Sequence, residues 1–367
     1  MSKSWQQFGL AIISGEDRSL VGQVVRAGMT VAEPVYATMM RLRNWSFDVG
    51  LKRGHDLGRP TISVGNITTG GTGKTPVVIW LANRLRDRGY RPAVLLRGYG
   101  STQPGISDEQ QLLHESLNAG SATPIPVVAN PSRVDAAFAV LAKDPAVNVF
   151  ILDDGFQHRR AKRDFDLVLV SATEAFGHGH VLPRGLLREP MVGLRRATAF
   201  LITRSSQAKD EAIEPLLAKW NPSAPIFRSD HVQSAVWIPS TGEHISVANL
   251  AGEKVFAFAG IGDPESFSRQ LSSAGCEVVG RRWFADHHLF TAADVEGLVA
   301  AAKQAGARRL LTTRKDWVKI AGVISTKEEF AIGVVELAIE MSAGGEQALL
   351  NRIENCLAVP QAGRVNN

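Results

Sequence analysis

The feature that most narrows the folds open to this chain is the stretch 61–78, TISVGNITTGGTGKTPVV. An apolar, β-branched run enters a glycine cluster that ends in Lys74-Thr75 and opens onto a second apolar run. Strand, glycine turn and helix in that order make a phosphate-binding loop, because successive backbone amides can face an anion only where the chain turns freely. The strict spacing places glycine at positions 68 and 73. Here Gly73, Lys74 and Thr75 match, Thr68 stands at the first position, and Gly70 and Gly71 supply the local freedom. A helix starting there aims its N-terminus at the phosphates, and Pro76 suits its first turn, where an N–H has no helical partner. Nucleotide binding is therefore expected from Thr68, Thr69, Gly70, Gly71, Thr72, Gly73, Lys74 and Thr75. Lys74 would reach the β- and γ-phosphates and Thr75 would ligate Mg²⁺.

From residue 61 onward, short β-rich runs alternate with amphipathic ones. Candidate strands are 61–67, 93–96, 126–129, 147–152, 166–170 and 200–203, with helical stretches such as PVVIWLANRLRDRG and PSRVDAAFAVLAKD between them. Alternation of this kind predicts parallel strands with crossover helices, and runs as apolar as VNVFIL predict strands covered on both faces. Residues 225–243 alternate polar and apolar and end in a Ser-Thr-Gly turn, after which the α/β alternation restarts, with a helix capped near Thr291 and Asp294. The expected fold is α/β: a P-loop NTPase-type parallel sheet domain over 1–229, a β-ribbon connector over 230–243, and a smaller α/β domain over 244–367.

The 367 residues are 44% hydrophobic and 21% charged, which is ordinary for a globular protein with a substantial core. A net charge of +5 suits an anionic partner, but the basic residues are dispersed and carry no interleaved aromatic stripe, so nucleic acid is not expected as a partner. Two distant cysteines, Cys276 and Cys356, fit a reducing cytosol. No run reaches the ~20 apolar residues of a membrane span. The N-terminus lacks the pattern of a cleaved signal. Residues 20–47 are rich in Val, Met, Tyr and Trp, with Arg26, Arg41 and Arg43 among them. As pattern alone this reads as a helical layer on the core, broken near Pro34; the other reading is an interfacial surface whose arginines meet lipid phosphates.

A second motif supports the nucleotide reading. VNVFILDDGFQHRR is a buried-type strand ending in Asp153 and Asp154, where a nucleoside-triphosphate site needs an acidic residue for its metal; either aspartate could be the ligand. His178 and His180 have no further ligands at metal spacing and read as part of a glycine-rich loop. Three phosphate-loop classes compete. Partition-type ATPases carry a lysine before the paired glycines, where this chain has Thr69. GTPases need N/T-K-x-D, and TRKD at 313–316 has its lysine one place late. A nucleotide switch or partner-delivery GTPase is thus the alternative to the third class, a small-molecule kinase.

The chain resembles the tetraacyldisaccharide 4'-kinases of lipid A biosynthesis. The resemblance lies in SVGNITTGGTGKTP, LLRGYG, DDGFQHRRAKRD, VLPRGLLREP, FAGIGDPESF, FADHHLF and TTRKDWVK, in family order over about residues 60–320. It implies transfer of a phosphoryl group from ATP, with Mg²⁺, to the 4'-hydroxyl of an acylated glucosamine disaccharide 1-phosphate lipid. It also implies peripheral work at the cytoplasmic face of the bacterial inner membrane, which favours the interfacial reading of residues 20–47; no obligate protein partner is evident. By position, the family's hydroxyl-activating Asp and its supporting His match Asp108 and His287, with His288 the rival. Ser107 and Gln110 depart from the family pattern, and Ser107-x-x-Gln110 also reads as a helix capping box. Arg188 and Glu189 match residues near the phosphates or metal, and Arg97 is a weaker candidate of the same kind.

Overall fold

The structure, a computed structural model, describes residues 5–98, 108–119, 121–207, 213–262, 264–285, 288–323 and 330–358. Helices α1 (Trp5–Ser14) and α2 (Leu20–Asp48) come first. Strand β1 (Thr61–Gly65) leads into α3 (Lys74–Asp87), β2 (Pro92–Leu96), α4 (Asp108–Asn118), β3 (Val127–Ala129), α5 (Arg133–Lys143) and β4 (Val149–Asp153). Next come β5 (Phe165–Ser171), β6 (Ala199–Thr203), α6 (Ile213–Trp220), the long β7 (Ile226–Ile238), β8 (Glu243–Ser246) and β9 (Lys254–Ala259). The chain continues through α7 (Pro264–Ser273), β10 (Glu277–Trp283), α8 (Ala292–Gln304), β11 (Arg309–Thr313), α9 (Arg314–Ile320), β12 (Ile332–Met341) and α10 (Gly345–Leu357). It divides into two compact units: Met1–Arg97, Ala122–Asp230 and Met341–Asn367 form the first, and Gly98–Ser121 and His231–Glu340 the second.

In the first unit the strands run parallel in the order β7-β6-β5-β1-β4-β2-β3. Every residue of β1, β2, β4, β5 and β6 is buried, as strands flanked by helices on both faces must be. Residues such as Phe150, Phe165 and Phe200 are almost wholly inaccessible, each contributing about 2–3 kcal/mol of apolar burial. The chain builds β2, β3 and β4 to one side of β1, then β5 and β6 to the other. The strand order therefore reverses beside β1, and the carboxyl ends of strands at such a reversal are where open α/β sheets bind ligands. β1 ends at Gly65 rather than at the expected Ile67. A Cβ at Gly65 would stand 2.7 Å from Phe156, and the chain beyond leaves the parallel ladder to pair Thr68 antiparallel with Leu187.

Helix α2 contradicts the expected break at Pro34: it runs unbroken for 29 residues. An interior proline costs about 3 kcal/mol in an isolated helix, but here contacts on both sides of it hold the inward face. Arg26 donates to the carbonyls of Ile12 and Asp17, while Ala37 and Asn44 are buried. The helix is also inverted in polarity. Its inward face carries Arg26, Glu33, Tyr36, Arg43 and Asn44, whereas Leu20, Val24, Val31, Val35, Met39 and Trp45 are exposed. Among the described residues no helix is long and apolar enough to cross a membrane.

In the second unit the order is β10-β9-β11-β12-β7, with β8 antiparallel on β7. Phe256, Phe258, Phe290 and Leu298 centre one of its cores. Thr291 and Asp294 form a reciprocal capping box at the start of α8. The TRKD sequence becomes the first turn of α9: Thr313 caps it, and fully buried Asp316 accepts from the Gly260 amide at 3.0 Å and the Thr313 hydroxyl at 2.8 Å.

Candidate active site

The phosphate loop is laid against the segment 186–188. Thr69 donates its amide to Leu186 O at 2.8 Å, and Arg188 donates its own to Ile67 O at 2.7 Å. Thr68, at the position of the motif's first glycine, is buried and its hydroxyl accepts from Asn66 Nδ2 at 3.2 Å. Gly73 then turns the chain through the left-handed region, at φ 77°, into α3. Lys74 and Thr75 thus occupy the first turn of a 14-residue helix, whose leading amides lack helical partners and favour an anion. Val77, Val78, Leu81, Ala82 and Leu85 bury the inner side of α3, which fixes the loop to the sheet. The loop's far end is held by Thr203 at the tip of β6, whose hydroxyl donates to Thr72 O at 3.0 Å.

Three charged groups meet at this loop. Lys74 Nζ lies 3.2 Å from Asn66 Oδ1 and 3.5 Å from Asp154 Oδ1. Arg188 donates to Asp154 Oδ2 at 2.6 Å. Asp154 follows β4 with φ 53°, the left-handed conformation in which a short acidic side chain is tolerated. Burial alone would raise its carboxyl, but the positive charges of Lys74 and Arg188 outweigh that and hold the group below the usual carboxylate range. Asp154 is therefore ionised at neutral pH. Its buried Oδ1 is met by Lys74 Nζ at 3.5 Å and by no closer donor among the described residues, an arrangement that leaves lone pairs for a cation beside the loop. Carboxylate and threonine hydroxyl oxygens are the donor set that a hard divalent ion takes, so Asp154 and Thr75 fit Mg²⁺. Asp153, the last residue of β4, is buried in register with Val64 of β1.

Glu189 lies next to Arg188 in sequence but is engaged by other protein groups. It is 1% exposed; Arg196 donates to both its oxygens at 2.8–2.9 Å, Asn44 to Oε2 at 2.8 Å and Gln157 to Oε1 at 3.0 Å. Gln157 also donates to Asn66 O at 2.7 Å, which links this buried carboxylate to the residue that holds Lys74. Arg196 stacks over Phe156, its guanidinium 4.5 Å from the ring centre. Glu174 brings a carboxylate within 3.1 Å of where a Cβ on Gly70 would stand.

The remaining sequence-predicted residues fall in the second unit or just before it. Asp108 is the first residue of α4, in the second unit; its side chain lies outside the described residues, as does His287. His288 is described and is held in place: it stacks on Phe284 at 4.7 Å, meets Phe290 edge-on, and its Nε2 is 3.2 Å from Asp294 Oδ2 of the α8 capping box. Arg97 follows β2 and is exposed. His180 turns its Nδ1 to Glu33 of α2 at 3.0 Å. Asn66, Gln157, Tyr36, Asn44 and Thr203 were not singled out from sequence. Asn66 sits where the strand ends and the loop begins, which is the signal that could have found it; the others are uncharged residues far from the loop in sequence.

A family model described as tetraacyldisaccharide-1-P 4'-kinase matches residues 25–358. A tetraacyldisaccharide 4'-kinase from Geobacter metallireducens is 37% identical over 350 residues, which cover 92% of this chain and 100% of that protein. One from Syntrophus aciditrophicus is 39% identical over 330 residues, covering 83% and 86% respectively. A crystal structure of LpxK from Aquifex aeolicus in complex with ATP superposes with a TM-score of 0.71 at 28% identity, covering 90% of this chain and 99% of that one.

Proposed function

The chain belongs to the tetraacyldisaccharide-1-P 4'-kinase family, and from that membership we infer a phosphotransferase of lipid A biosynthesis that uses ATP with Mg²⁺. It moves the terminal phosphoryl group of ATP to the 4'-hydroxyl of a tetraacylated glucosamine disaccharide 1-phosphate. The observation that carries the site reading is the meeting of Lys74, Asp154 and Arg188 at the phosphate loop.

In the proposed mechanism Lys74 and the amides opening α3 bind the β- and γ-phosphates, and Arg188 neutralises charge on the transferring group. Thr75 and an aspartate of the Asp153/Asp154 pair would hold Mg²⁺, Asp154 offering the Oδ1 that faces Lys74 at 3.5 Å. Mg²⁺ supplies charge neutralisation across the phosphate oxygens. The acceptor's 4'-oxygen forms its bond to the γ-phosphorus as the bond to the β–γ bridging oxygen breaks, and ADP departs. Asp108 takes the hydroxyl proton, and His287 orients that carboxylate. Glu189 serves by fixing Asn44, Gln157 and Arg196 around the loop.

The acceptor is a membrane lipid, and the outward side of α2 fits a lipid surface. Val31 is 76% exposed and Leu20 81%, in a contiguous apolar strip of the kind that marks an interaction surface on a folded protein. Arg41, Lys52 and Arg53 flank its C-terminal end, where they suit anionic headgroups. α2 lies on the cytoplasmic face of the inner membrane as a peripheral anchor.

Labelled ATP and detergent-dispersed disaccharide acceptor test the reaction. A doubly phosphorylated lipid is expected. Folded, ATP-binding protein that transfers no label, or that hydrolyses nucleotide at full rate without acceptor, would overturn the kinase reading.

A further inference from the structure

The inward face of α2 does more than seat the helix. Four of its side chains reach the segments that build the phosphate site. Glu33 accepts from the Val181 amide at 3.0 Å, Tyr36 donates its hydroxyl to Arg188 O at 2.8 Å, Arg43 donates to Gln157 O at 2.6 Å, and Asn44 donates to Glu189 Oε2. The Tyr36 contact joins positions 152 residues apart and falls on the one peptide from which the Arg188 guanidinium extends.

We propose that Tyr36 is a positioning residue for phosphoryl transfer, acting through Arg188. The Arg188 residue is clamped at three points: its amide to Ile67 O at the entrance of the phosphate loop, its carbonyl to Tyr36, and its guanidinium to Asp154 at 2.6 Å. With amide and carbonyl both bonded, the residue cannot rotate about its backbone, and the long side chain leaves it in one direction. Without the phenol the carbonyl loses its partner in a half-buried place, and the residue is free to turn and carry the guanidinium off the phosphate site. A misplacement of about 1 Å in a positioning group is enough to cost large factors in rate. The hydroxyl is a dependable donor. Burial, the largest influence, pushes the phenol up and Glu189 adds to it, against Arg43 and Arg188. Whatever seats α2 therefore also sets Arg188.

The inference rests on the reading that Arg188 meets the transferring phosphate, and a double-mutant cycle separates the two. Full-length wild type, Tyr36→Phe, Arg188→Ala and the double variant are assayed with ATP and detergent-dispersed acceptor, with thermal midpoints recorded for each. Tyr36→Phe keeps the ring and its packing. It is expected to lower kcat roughly tenfold, the rate equivalent of one hydrogen bond lost. KM for the lipid should stay at its wild-type value, and the thermal midpoint should fall by no more than the few degrees that one lost hydrogen bond costs. The double variant should be no slower than Arg188→Ala alone, since both changes remove the same aimed group. Wild-type kcat in Tyr36→Phe, or a loss that multiplies onto that of Arg188→Ala, overturns the positioning role while leaving Arg188 in place. Full activity in Arg188→Ala removes the site reading and the inference with it.

Discussion

At the scale of single residues, Asp154 carries the highest stakes. It is the only partner the described structure gives Arg188's guanidinium within ion-pair distance, and its other oxygen, buried, faces Lys74 Nζ at 3.5 Å. Asp154→Asn preserves shape but removes the charge. It should lower turnover by at least ~10²-fold, as loss of a preorganised charged group does, and raise the Mg²⁺ concentration needed for half-maximal rate in the lipid phosphorylation assay. Lys74→Ala should do the same to turnover with no change in the Mg²⁺ dependence. His158 makes a different prediction. Burial, then Arg133, Arg163, Arg43 and Arg160, push it down from 6.5 to about 4. Between those two pH values the unfolded chain binds a proton that the folded chain refuses, so stability is complete above pH 6.5 and falls as pH drops toward 4. Urea midpoints compared at pH 7.5 and 4.5 should show a smaller acid loss in His158→Gln than in wild type.

At the scale of elements, α2 is read most directly by recolouring its outer face. Val24→Glu with Val31→Glu changes two positions that are 70% and 76% exposed. The pair should weaken sedimentation with phospholipid vesicles severalfold while thermal stability stays nearly constant, because exposed substitutions away from packed features shift stability by about 0.5 kcal/mol or less. Unchanged vesicle binding would rule out this face as the anchor. Much of the architecture at this scale was legible in the sequence. β4 and β6 are apolar up to their last residues, Asp153 and Thr203, because both their faces are covered, and Thr291 and Asp294 announce the start of α8 through their own side-chain chemistry. Lys74 is marked in the sequence by its glycine loop and the Asp153/Asp154 pair by charge at the end of an apolar strand, whereas Arg188 is marked only by the family resemblance. The continuity of α2 could not be read, since Pro34 is a local signal for a break and the contacts that override it come from residues up to 152 positions away. Gln157 and Tyr36 were hidden for the same reason. An uncharged amide or phenol shows its partner only after the chain has folded.

At the scale of the whole molecule, chemistry and charge are distributed unevenly. The residues proposed to bind the phosphates belong to the first unit, whereas α4 with Asp108 belongs to the second, a membership for which residues 98–121 give no local sign. Asp108→Ala should abolish transfer yet leave ATP affinity within about twofold of wild type, because the proposed base acts on the acceptor hydroxyl and not on the nucleotide; a large loss of nucleotide binding would refute its assignment as base. The net charge of +5 predicts that binding to vesicles containing anionic lipid falls when salt rises from ~50 to ~500 mM, while binding to neutral vesicles changes little. The reversed polarity of α2 has a practical corollary for preparing this protein. Deleting the helix to gain solubility would take Tyr36 and Asn44 with it, leaving the Arg188 carbonyl bare and stripping a donor from a carboxylate sealed in the interior. A detergent-free kinase is better sought by keeping the helix and replacing only its outer valines and leucines, so that the exposed apolar side chains go and the inward contacts to Arg188 and Glu189 stay.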